Sequence, residues 1–304
     1  MSAGQLRGIK SRIKSVENTR KITRAMEMVS AAKLRRFQGF LTKARPYTTE
    51  LEKMMLRLVD AQNSQAPDQG AEKKPSYEHP FFAPRTENQT SLLLVTADSG
   101  LCGPHNMLLI EMARDFLKRS QKPAPVIFAV GKAGVNALRR SSFSCEKTWA
   151  DIRQNQIDSA VKEIKETLAS AYTEGRVDSV YVIHSKLLSV TASKPATEKI
   201  LPLSSPQSSA TTADSKDNVP YIFEPSPEAI FERIVPEYFE AKVRMLLLES
   251  FVSEQMARMT AMHQATKNAK EMIDSLVLVR NKIRQAIITK EIIEIISGSR
   301  AAKN

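Results

Sequence analysis

The carboxyl-terminal quarter of the chain holds the feature that most restricts the fold, a long stretch with almost nothing to interrupt a helix. Between Glu228 and Ser297 there is one proline, Pro236, and no glycine. This composition predicts one helix of about 70 residues, roughly 100 Å long at about 1.5 Å per residue, which we expect Gly298 to end. Such a helix cannot bury itself in a compact domain, so it needs a partner helix.

The amino-terminal segment offers that partner. Residues 4–60 contain no proline except Pro46, and apolar residues recur there every three or four positions. This spacing predicts a coiled-coil seam with a polar gap in its middle, where Ile22, Met26 and Val29 lie on another face. The seam positions are Leu6, Ile9, Ile13 and Val16, then the polar Arg20, Thr23, Glu27 and Ser30, then Leu34, Phe37, Leu41, Ala44, Thr48, Leu51, Met55 and Leu58.

The carboxyl-terminal stretch has a ladder of the same spacing. We therefore expect the two helices to wind around each other in an antiparallel coiled coil, with residues 1–60 as one helix and 224–304 as the other. The ladder consists of Phe251, Met262, Ala265, Ala269, Met272, Leu276, Val279, Ile283, Ala286 and Ile293, with Gln255, Arg258 and Lys290 on the remaining rungs.

The middle of the chain has a different pattern. Apolar runs rich in β-branched residues at 91–97, 125–131 and 177–184 alternate with helix-like stretches near 106–120, 132–140 and 154–173. This alternation predicts a small, Rossmann-like parallel sheet domain over residues 91–223. Residues 61–90 are predicted to be a loop or insertion, and residues 202–219 a second loop. The predicted fold class is α/β, a long antiparallel coiled coil of the terminal helices plus this sheet domain.

Positive charge is concentrated at one end. Residues 1–45 hold twelve Lys and Arg against Glu17 and Glu27, and the whole chain has a formal charge of +12. Such a segment suits nucleic acid, an anionic membrane surface or an acidic protein partner, or it is simply a solvated helix face. The nucleic-acid interpretation lacks interleaved aromatic residues for stacking on bases.

Motifs for catalysis are missing from the predicted sheet domain. Residues 131–133 (GKA) lack the hydroxyl residue and the upstream glycine of a phosphate-binding P-loop, and no G-x-G-x-x-G follows a strand. Ala97 replaces the first glycine of a nucleophile elbow, and residues 100–103 (GLCG) are predicted to form a tight turn. The four histidines do not pair with a cysteine at metal-ligand spacing. We therefore predict no catalytic, cofactor or metal site.

Cellular location follows from the cysteines and the apolar runs. Cys102 and Cys145 are too few for a disulfide framework, which favours a reducing compartment. The longest unbroken apolar run, residues 126–130, is far too short to span a membrane, and the segment after Met1 has no apolar signal-peptide core. We expect a soluble, intracellular protein that is not inserted in a bilayer.

Several motifs resemble the gamma subunit family of F-type ATP synthases. Residues 19–29 (TRKITRAMEMV) are similar to the family's amino-terminal signature, and residues 100–103 to its central motif. Residues 224–228 (EPSPE), residues 253–259 (SEQMARM) and the pattern over 261–295 resemble its carboxyl-terminal part. These matches occur in the family's order over nearly the whole chain.

The resemblance implies a rotor without an active site. In that family the two helices form an asymmetric shaft inside a hexamer of alpha and beta subunits, and the sheet-bearing part sits with the epsilon subunit on a membrane ring of c subunits. Ion flow turns the ring and the shaft, which drives the catalytic beta subunits through their states in turn. No transit peptide is visible, which favours a bacterial protein, peripheral to the cytoplasmic face of the inner membrane, with no cofactor and no nucleic-acid partner.

The resemblance also implies which residues contact the hexamer. Arg20, Lys21, Arg24 and Met26 match a segment that faces an acidic lever loop of beta. A second group matches positions that meet beta higher on the shaft, namely Arg258, Gln285, Thr289 and Glu291. For each of them the alternative is an ordinary exposed helical residue. Two other hypotheses remain, a coiled-coil nucleic-acid binder and a nucleotide-binding enzyme built on the central sheet.

Overall fold

Two long helices and a five-stranded sheet make up the fold in this computed structural model, which describes residues 3–65, 79–82, 85–120, 123–189, 192–203 and 224–301. Residues 66–78 and 83–84 of the predicted loop at 61–90, and all but the first two residues of the predicted loop at 202–219, lie outside the described residues. The loop prediction is wrong for residues 61–65, which continue α1. In chain order the elements are α1 (Ala3–Gln65), β1 (Thr90–Val95), α2 (His105–Arg119), β2 (Val126–Val130), α3 (Lys132–Arg140), β3 (Lys147–Trp149), a 3-10 turn (Gln154–Gln156), α4 (Ile157–Thr173), β4 (Ser179–Leu187), β5 (Ser193–Leu201) and α5 (Pro227–Ala301).

The chain divides into two units, and both long helices contribute to each. The first unit, Met1–Lys33 with Ala257–Asn304, is called the helix-pair unit below. The second, Leu34–Met256, contains the sheet and is called the sheet unit.

In the helix-pair unit the two helices run antiparallel, as predicted. Thr23 Oγ1 lies 2.8 Å from Thr266 Oγ1, and one turn along α1 Glu27 Oε1 lies 2.9 Å from His263 Nδ1. The residue numbers of each pair add to about 290, which defines the register. The polar gap predicted in the seam of α1 is therefore filled by polar contacts between the helices.

The predicted seam of α5 is partly wrong. Met272, Val279 and Ile293 are 47%, 43% and 60% exposed, while Ile273 and Arg280, one position further along, are half-buried. A seam that advances 3.5 residues per step falls between two neighbouring residues at every second step, so spacing alone does not decide which of them faces the partner. The predicted helix end at Gly298 is also wrong, since α5 continues to Ala301.

The sheet of the second unit has the strand order β3-β2-β1-β4-β5. Strands β3, β2, β1 and β4 are parallel to one another, and the edge strand β5 pairs antiparallel with β4. The predicted α/β fold class with a mainly parallel sheet is confirmed. The two edge strands were not predicted, because β3 is only three residues long and β5 is mostly polar.

The two faces of the sheet are both covered. Leu92 and Leu94 of β1 pack with Leu109 and Ala113 of α2 and with Leu138 of α3. The alternate β1 residues 93 and 95, which point to the opposite face, are equally buried. This two-sided burial is typical of parallel sheets and explains the continuous apolar runs in the sequence.

Residues of α1 from Leu34 onward and of α5 up to Met256 belong to the sheet unit and pair there by apolar contacts. Leu41, Leu51, Met55 and Leu58 of the predicted α1 ladder are all buried. The rings of Phe37 and Phe251 lie 5.5 Å apart between centroids, which ties the two helices together. The α1 ladder predicted from the sequence is confirmed in this part.

Candidate functional site

A cationic groove on the helix-pair unit is the candidate functional site. It has a volume of about 650 Å³ and lies between α1 and α5. Residues from both helices line it: Arg20, Lys21, Arg24, Glu27 and Met28 from α1, and His263, Thr266, Lys267 and Lys270 from α5. The antiparallel register accounts for this composition, because it places Lys270 opposite Arg20 and Lys267 opposite Thr23.

The electrostatics of the groove favour an anionic partner. Five of its lining side chains are Arg or Lys, and its single carboxylate, Glu27, is already in contact with His263 at 2.9 Å. Arg20 and Arg24 are four residues apart on one helix, a spacing at which like charges destabilise a helix by a few tenths of a kcal/mol. Packing of the two helices does not require this concentration of positive charge, and a negatively charged segment would neutralise it.

Three of the residues proposed from the sequence come together in this groove. Arg20, Lys21 and Arg24 line it side by side on α1. Met26, proposed with them, is half-buried and is not part of the lining. Its neighbour Met28 lies in the groove instead and is largely exposed, so an apolar contact is available next to the cations.

The other four proposed residues lie elsewhere on α5. Gln285, Thr289 and Glu291 are exposed, and the Thr289 hydroxyl donates to the backbone carbonyl of Gln285 at 3.0 Å. Arg258 is only 6% exposed and therefore offers little surface to another chain in this structure. A role for these four residues in binding stays a prediction.

Lys267 and Lys270 were missed by sequence reasoning. The basic segment was identified by counting charges along residues 1–45, and α5 is close to neutral by the same count. The signal lay in the pairing of the helices, because only the antiparallel register brings these two lysines of α5 to the basic part of α1.

The carboxyl-terminal end of α5 forms a second exposed surface. With the register above, Ala3 at the described start of α1 lies opposite residue 287 or so, and α5 continues to Ala301. All described side chains after Ile287 are exposed. Five of them are isoleucines: Ile288, Ile292, Ile293, Ile295 and Ile296.

In sheets of this topology, nucleotides bind at the carboxyl ends of the strands, where the helix after a strand commonly binds phosphate. The first backbone N–H groups of α3 already have acceptors. Lys132 N donates to Asp98 Oδ1 at 3.1 Å, and Gly134 N donates to Thr96 Oγ1 at 2.9 Å. Asp98 Oδ2 also accepts from Asp151 N at 3.0 Å. A carboxylate thus lies where a phosphate would bind, and it would repel one.

The turn at residues 100–103 has a structural role in these contacts. Leu101 and Gly103 have φ values of +63° and +58°, which confirms the predicted tight turn. Asn106, just after it on α2, accepts the N–H of Ala97 at 3.0 Å and contacts Cys102 Sγ through Nδ2 at 3.3 Å. The turn therefore connects β1 to α2 through side-chain contacts.

In the ranges that the structure describes, no three His, Cys, Asp or Glu side chains are placed to hold a metal ion together. None of the described helices is both long enough and apolar enough to cross a bilayer.

Comparison with known proteins identifies the family. The family model described as ATP synthase matches residues 5–302. The ATP synthase gamma chain of Moorella thermoacetica is 40% identical over 298 residues, covering 98% of this chain and 99% of that protein. The chain belongs to the ATP synthase gamma-chain family. The gamma chain of Chloroherpeton thalassium, another member, is 38% identical over 309 residues and covers 97% of both chains.

Two solved structures share the fold. A chain of the Euglena gracilis mitochondrial ATP synthase, from a structure of OSCP, F1 and c-ring, superposes with a TM-score of 0.66 at 17% identity, covering 99% of this chain and 95% of that one. A chain from the Tetrahymena thermophila mitochondrial ATP synthase central stalk and c-ring gives 0.55 at 20% identity, with 80% and 99% covered. At these identities the likeness shows the gamma-chain fold alone.

Proposed function

We propose that this gamma-chain family member is the rotating central stalk of an F-type ATP synthase and holds no active site itself. It couples ion flow through a membrane ring of c subunits to ATP synthesis and hydrolysis at the beta subunits, and it regulates their activity. Its partners are the alpha and beta subunits, which form the hexameric head, together with the epsilon subunit and the c-ring. It is peripheral to the cytoplasmic face of a bacterial inner membrane.

The observation that carries this proposal is the carboxyl-terminal end of α5, which extends past the described start of α1 with its isoleucines exposed. Exposed apolar clusters of this kind are rare on proteins that work alone and usually mark a binding surface. A ring of head subunits that encloses the helix would cover it on all sides. The asymmetric helix pair then meets each beta subunit differently as it turns, and such a difference in contacts is what shifts a partner between states.

Reconstitution tests the proposal. The chain is mixed with the alpha and beta subunits of the same organism, the complex is isolated, and ATP hydrolysis is measured with and without the chain. We expect one copy per three alpha/beta pairs and strongly stimulated hydrolysis. The proposal is wrong if no complex forms, or if hydrolysis is unchanged when the complex contains the chain.

A pair of variants links the result to the α5 end. Ile292→Ser with Ile295→Ser removes two exposed side chains of this surface and should raise the chain concentration needed for half-maximal stimulation by tenfold or so, from about 0.7 kcal/mol lost per residue. Leu101→Ser with Met107→Ser removes exposed side chains of the sheet unit. This variant should need the same chain concentration as the wild type for half-maximal stimulation. Equal effects of the two variants would contradict the assignment of the α5 end to the head.

Helix integrity is tested separately by Leu276→Pro. Leu276 is half-buried in the helix-pair unit, and proline there removes a backbone hydrogen bond and bends the helix. In a complete, membrane-bound synthase we expect ATP synthesis to be lost. Full coupling in this variant would mean that a continuous α5 is not needed to transmit rotation.

A further inference from the structure

We propose that the carboxyl end of β4 holds α5 through Glu249, Ser250 and Ser253, and that torque passes between the sheet unit and α5 at this joint. The β4–α5 joint consists of these three side chains and the backbone of Ser185 and Leu187. This inference rests on the proposed function and deepens it, because it names the residues that transmit rotation inside the chain.

The joint begins where β4 extends past its neighbour β1. The pairing of these two parallel strands ends with Leu94 opposite Ile183, whereas β4 continues to Leu187 and pairs with β5 along that length. Ser185 lies opposite Pro195 of β5, which has no N–H to donate. Residues of an antiparallel pair alternate between bonding to the opposite strand and pointing away from it. Ser185 and Leu187 therefore direct their backbone groups to the side on which β1 has ended.

Side chains of α5 bind the backbone groups that β1 leaves without a partner strand. Ser185 N donates to Ser250 Oγ at 3.4 Å, and Ser253 Oγ donates to Ser185 O at 3.3 Å. The carboxylate of Glu249 accepts the backbone N–H of Leu187. Three neighbouring side chains of one helix thus continue the hydrogen-bond ladder of the sheet, which joins β4 to α5 by direct bonds.

Burial makes the bonds of the joint costly to break. Ser185 and Ser250 are each 3% exposed, and Ser253 is fully buried. A buried backbone group that loses its partner is not compensated by water, so the joint resists opening. The side chain of Glu249 is 14% exposed, and its Oε1 lies 3.8 Å from Arg45 Nη2, which brings α1 to the same point.

The position of the joint along α5 suits the transmission of torque. The helix belongs to the sheet unit up to Met256 and to the helix-pair unit from Ala257 onward. Ser253 therefore lies about one helical turn before α5 leaves the sheet unit. A helix that is turned from one end must be held close to where it leaves its support, since any local opening there absorbs part of the rotation.

Hydrogen exchange of the full free chain tests whether the joint forms. The joint variant is Ser250→Ala with Ser253→Ala. Its matched control is Ser91→Ala, because the fully buried Ser91 Oγ also donates to a carbonyl of β4, that of Ser179 at 3.2 Å, but within the sheet. We expect the amide of Ser185 to exchange about fivefold faster in the joint variant and at the wild-type rate in the control. The single variant Ser253→Ala should be intermediate and serves if the double variant does not fold.

The functional readout is the number of ions pumped per ATP hydrolysed by the complete membrane-bound synthase. We expect the joint variant to lower this ratio to about half against a large opposing gradient, because a weakened joint opens under load. Without an opposing gradient the ratio should equal that of the wild type, and Ser91→Ala should match the wild type under both conditions. A merely structural role would reduce the amount of assembled enzyme and leave the ratio unchanged.

The possible failures of the two proposals are distinguishable. A ratio equal to that of Ser91→Ala at every gradient would overturn the role of the joint and leave the proposed function standing. Unchanged exchange of the Ser185 amide in the joint variant would do the same, because the bonds to α5 would not hold β4. A wild-type synthase that hydrolyses ATP without pumping ions would contradict the proposed function and this inference together.

Discussion

Glu27 of α1 and His263 of α5 are in direct contact, with Oε1 and Nδ1 2.9 Å apart, in the part of the seam where the α1 seam positions are polar. One turn away the hydroxyls of Thr23 and Thr266 face each other at 2.8 Å. Polar contacts at such positions are satisfied in only one alignment of the helices, so they fix the register at some cost in stability. We infer that this segment specifies how α1 and α5 align.

The threonine contact should be measurable as a coupling energy. Thr23→Val removes one hydroxyl and should lower the free energy of unfolding by about 1 kcal/mol or less, because the Thr266 hydroxyl loses its contact with α1 but keeps the backbone carbonyl of Met262 at 2.8 Å. Thr23→Val with Thr266→Val replaces both by groups of the same shape and should cost less than the two single changes added together. Urea unfolding of the wild type, the two single variants and the double variant completes this double-mutant cycle. Thr19→Val, at an exposed hydroxyl bonded within α1, is the control and should change little. Strict additivity would show that the two hydroxyls do not interact.

The corrected seam of α5 makes a second prediction. Ile273→Ala should lower the free energy of unfolding by about 1–2 kcal/mol, because the half-buried Ile273 packs in the helix-pair unit. Met272→Ala, at the exposed neighbouring position, should cost less than about 0.5 kcal/mol. Urea or thermal unfolding of the free chain compares them. A larger loss for Met272→Ala than for Ile273→Ala would mean that Met272 lies in the seam, as expected from the sequence.

Gly131, between β2 and α3, should not tolerate a side chain. Its φ is +91°, and an added Cβ would lie 2.1 Å from the backbone oxygen of Thr96, so Gly131→Ala forces the backbone to move. We expect a loss of about 3 kcal/mol or more, from strain and the clash together. Gly175→Ala is the matched control, since Gly175 has a φ of +72° but open space around its Cα. It should cost only about 1–2 kcal/mol. Similar losses in both variants, measured by thermal unfolding, would show that the clash is relieved without cost.

Glu198 on β5 should make the stability of the chain sensitive to acid. His184 and Lys186 lower the pKa of Glu198 from 4.5 to about 2. Lys186 Nζ is the direct contact at 2.6 Å, whereas His184 Nε2 lies at 3.7 Å, beyond hydrogen-bonding distance. Because the folded pKa lies below the unfolded one, the stabilisation is complete above about pH 4.5 and is lost as the pH falls towards 2.

The size of this effect and its control follow from the exposure of the pair. Lys186 is 48% exposed, so solvent screening reduces the contribution to the order of 2 kcal/mol. Urea unfolding should show the wild type losing this much more stability than Glu198→Gln between pH 5 and pH 2.5 or so. If the free energies of unfolding of the wild type and of Glu198→Gln fell equally over that range of pH, Glu198 would not be the source of the acid sensitivity.

Much of the fold could be predicted because the long helices and the central strands have strong periodic signals. The ladder from Ile13 to Leu58 lies at the buried face of α1, and the polar gap was recognised from spacing alone. Strand β5 was missed because Lys194, Glu198 and Lys199 interrupt its apolar pattern, as is usual for an edge strand that must resist pairing with other chains.

The candidate site was only half predictable for a different reason. Arg20, Lys21 and Arg24 are close in sequence and could be identified from charge density and motif. Lys267 and Lys270 join them only through tertiary pairing, which depends on the register and not on local composition. A groove between two helices that are more than 200 residues apart in sequence is a property of neither segment alone.

The contacts of Asp98 have a consequence for the setting in which a gamma chain would work. A protein that turns among nucleotide-binding neighbours is surrounded by ATP and ADP, and its own sheet has the topology that binds nucleotides in other proteins. With its carboxylate on the first N–H of α3, Asp98 keeps phosphate out of that edge by charge as well as by occupancy. The chain can thus have a sheet topology that binds nucleotides in other proteins and still not take up ATP or ADP at that edge.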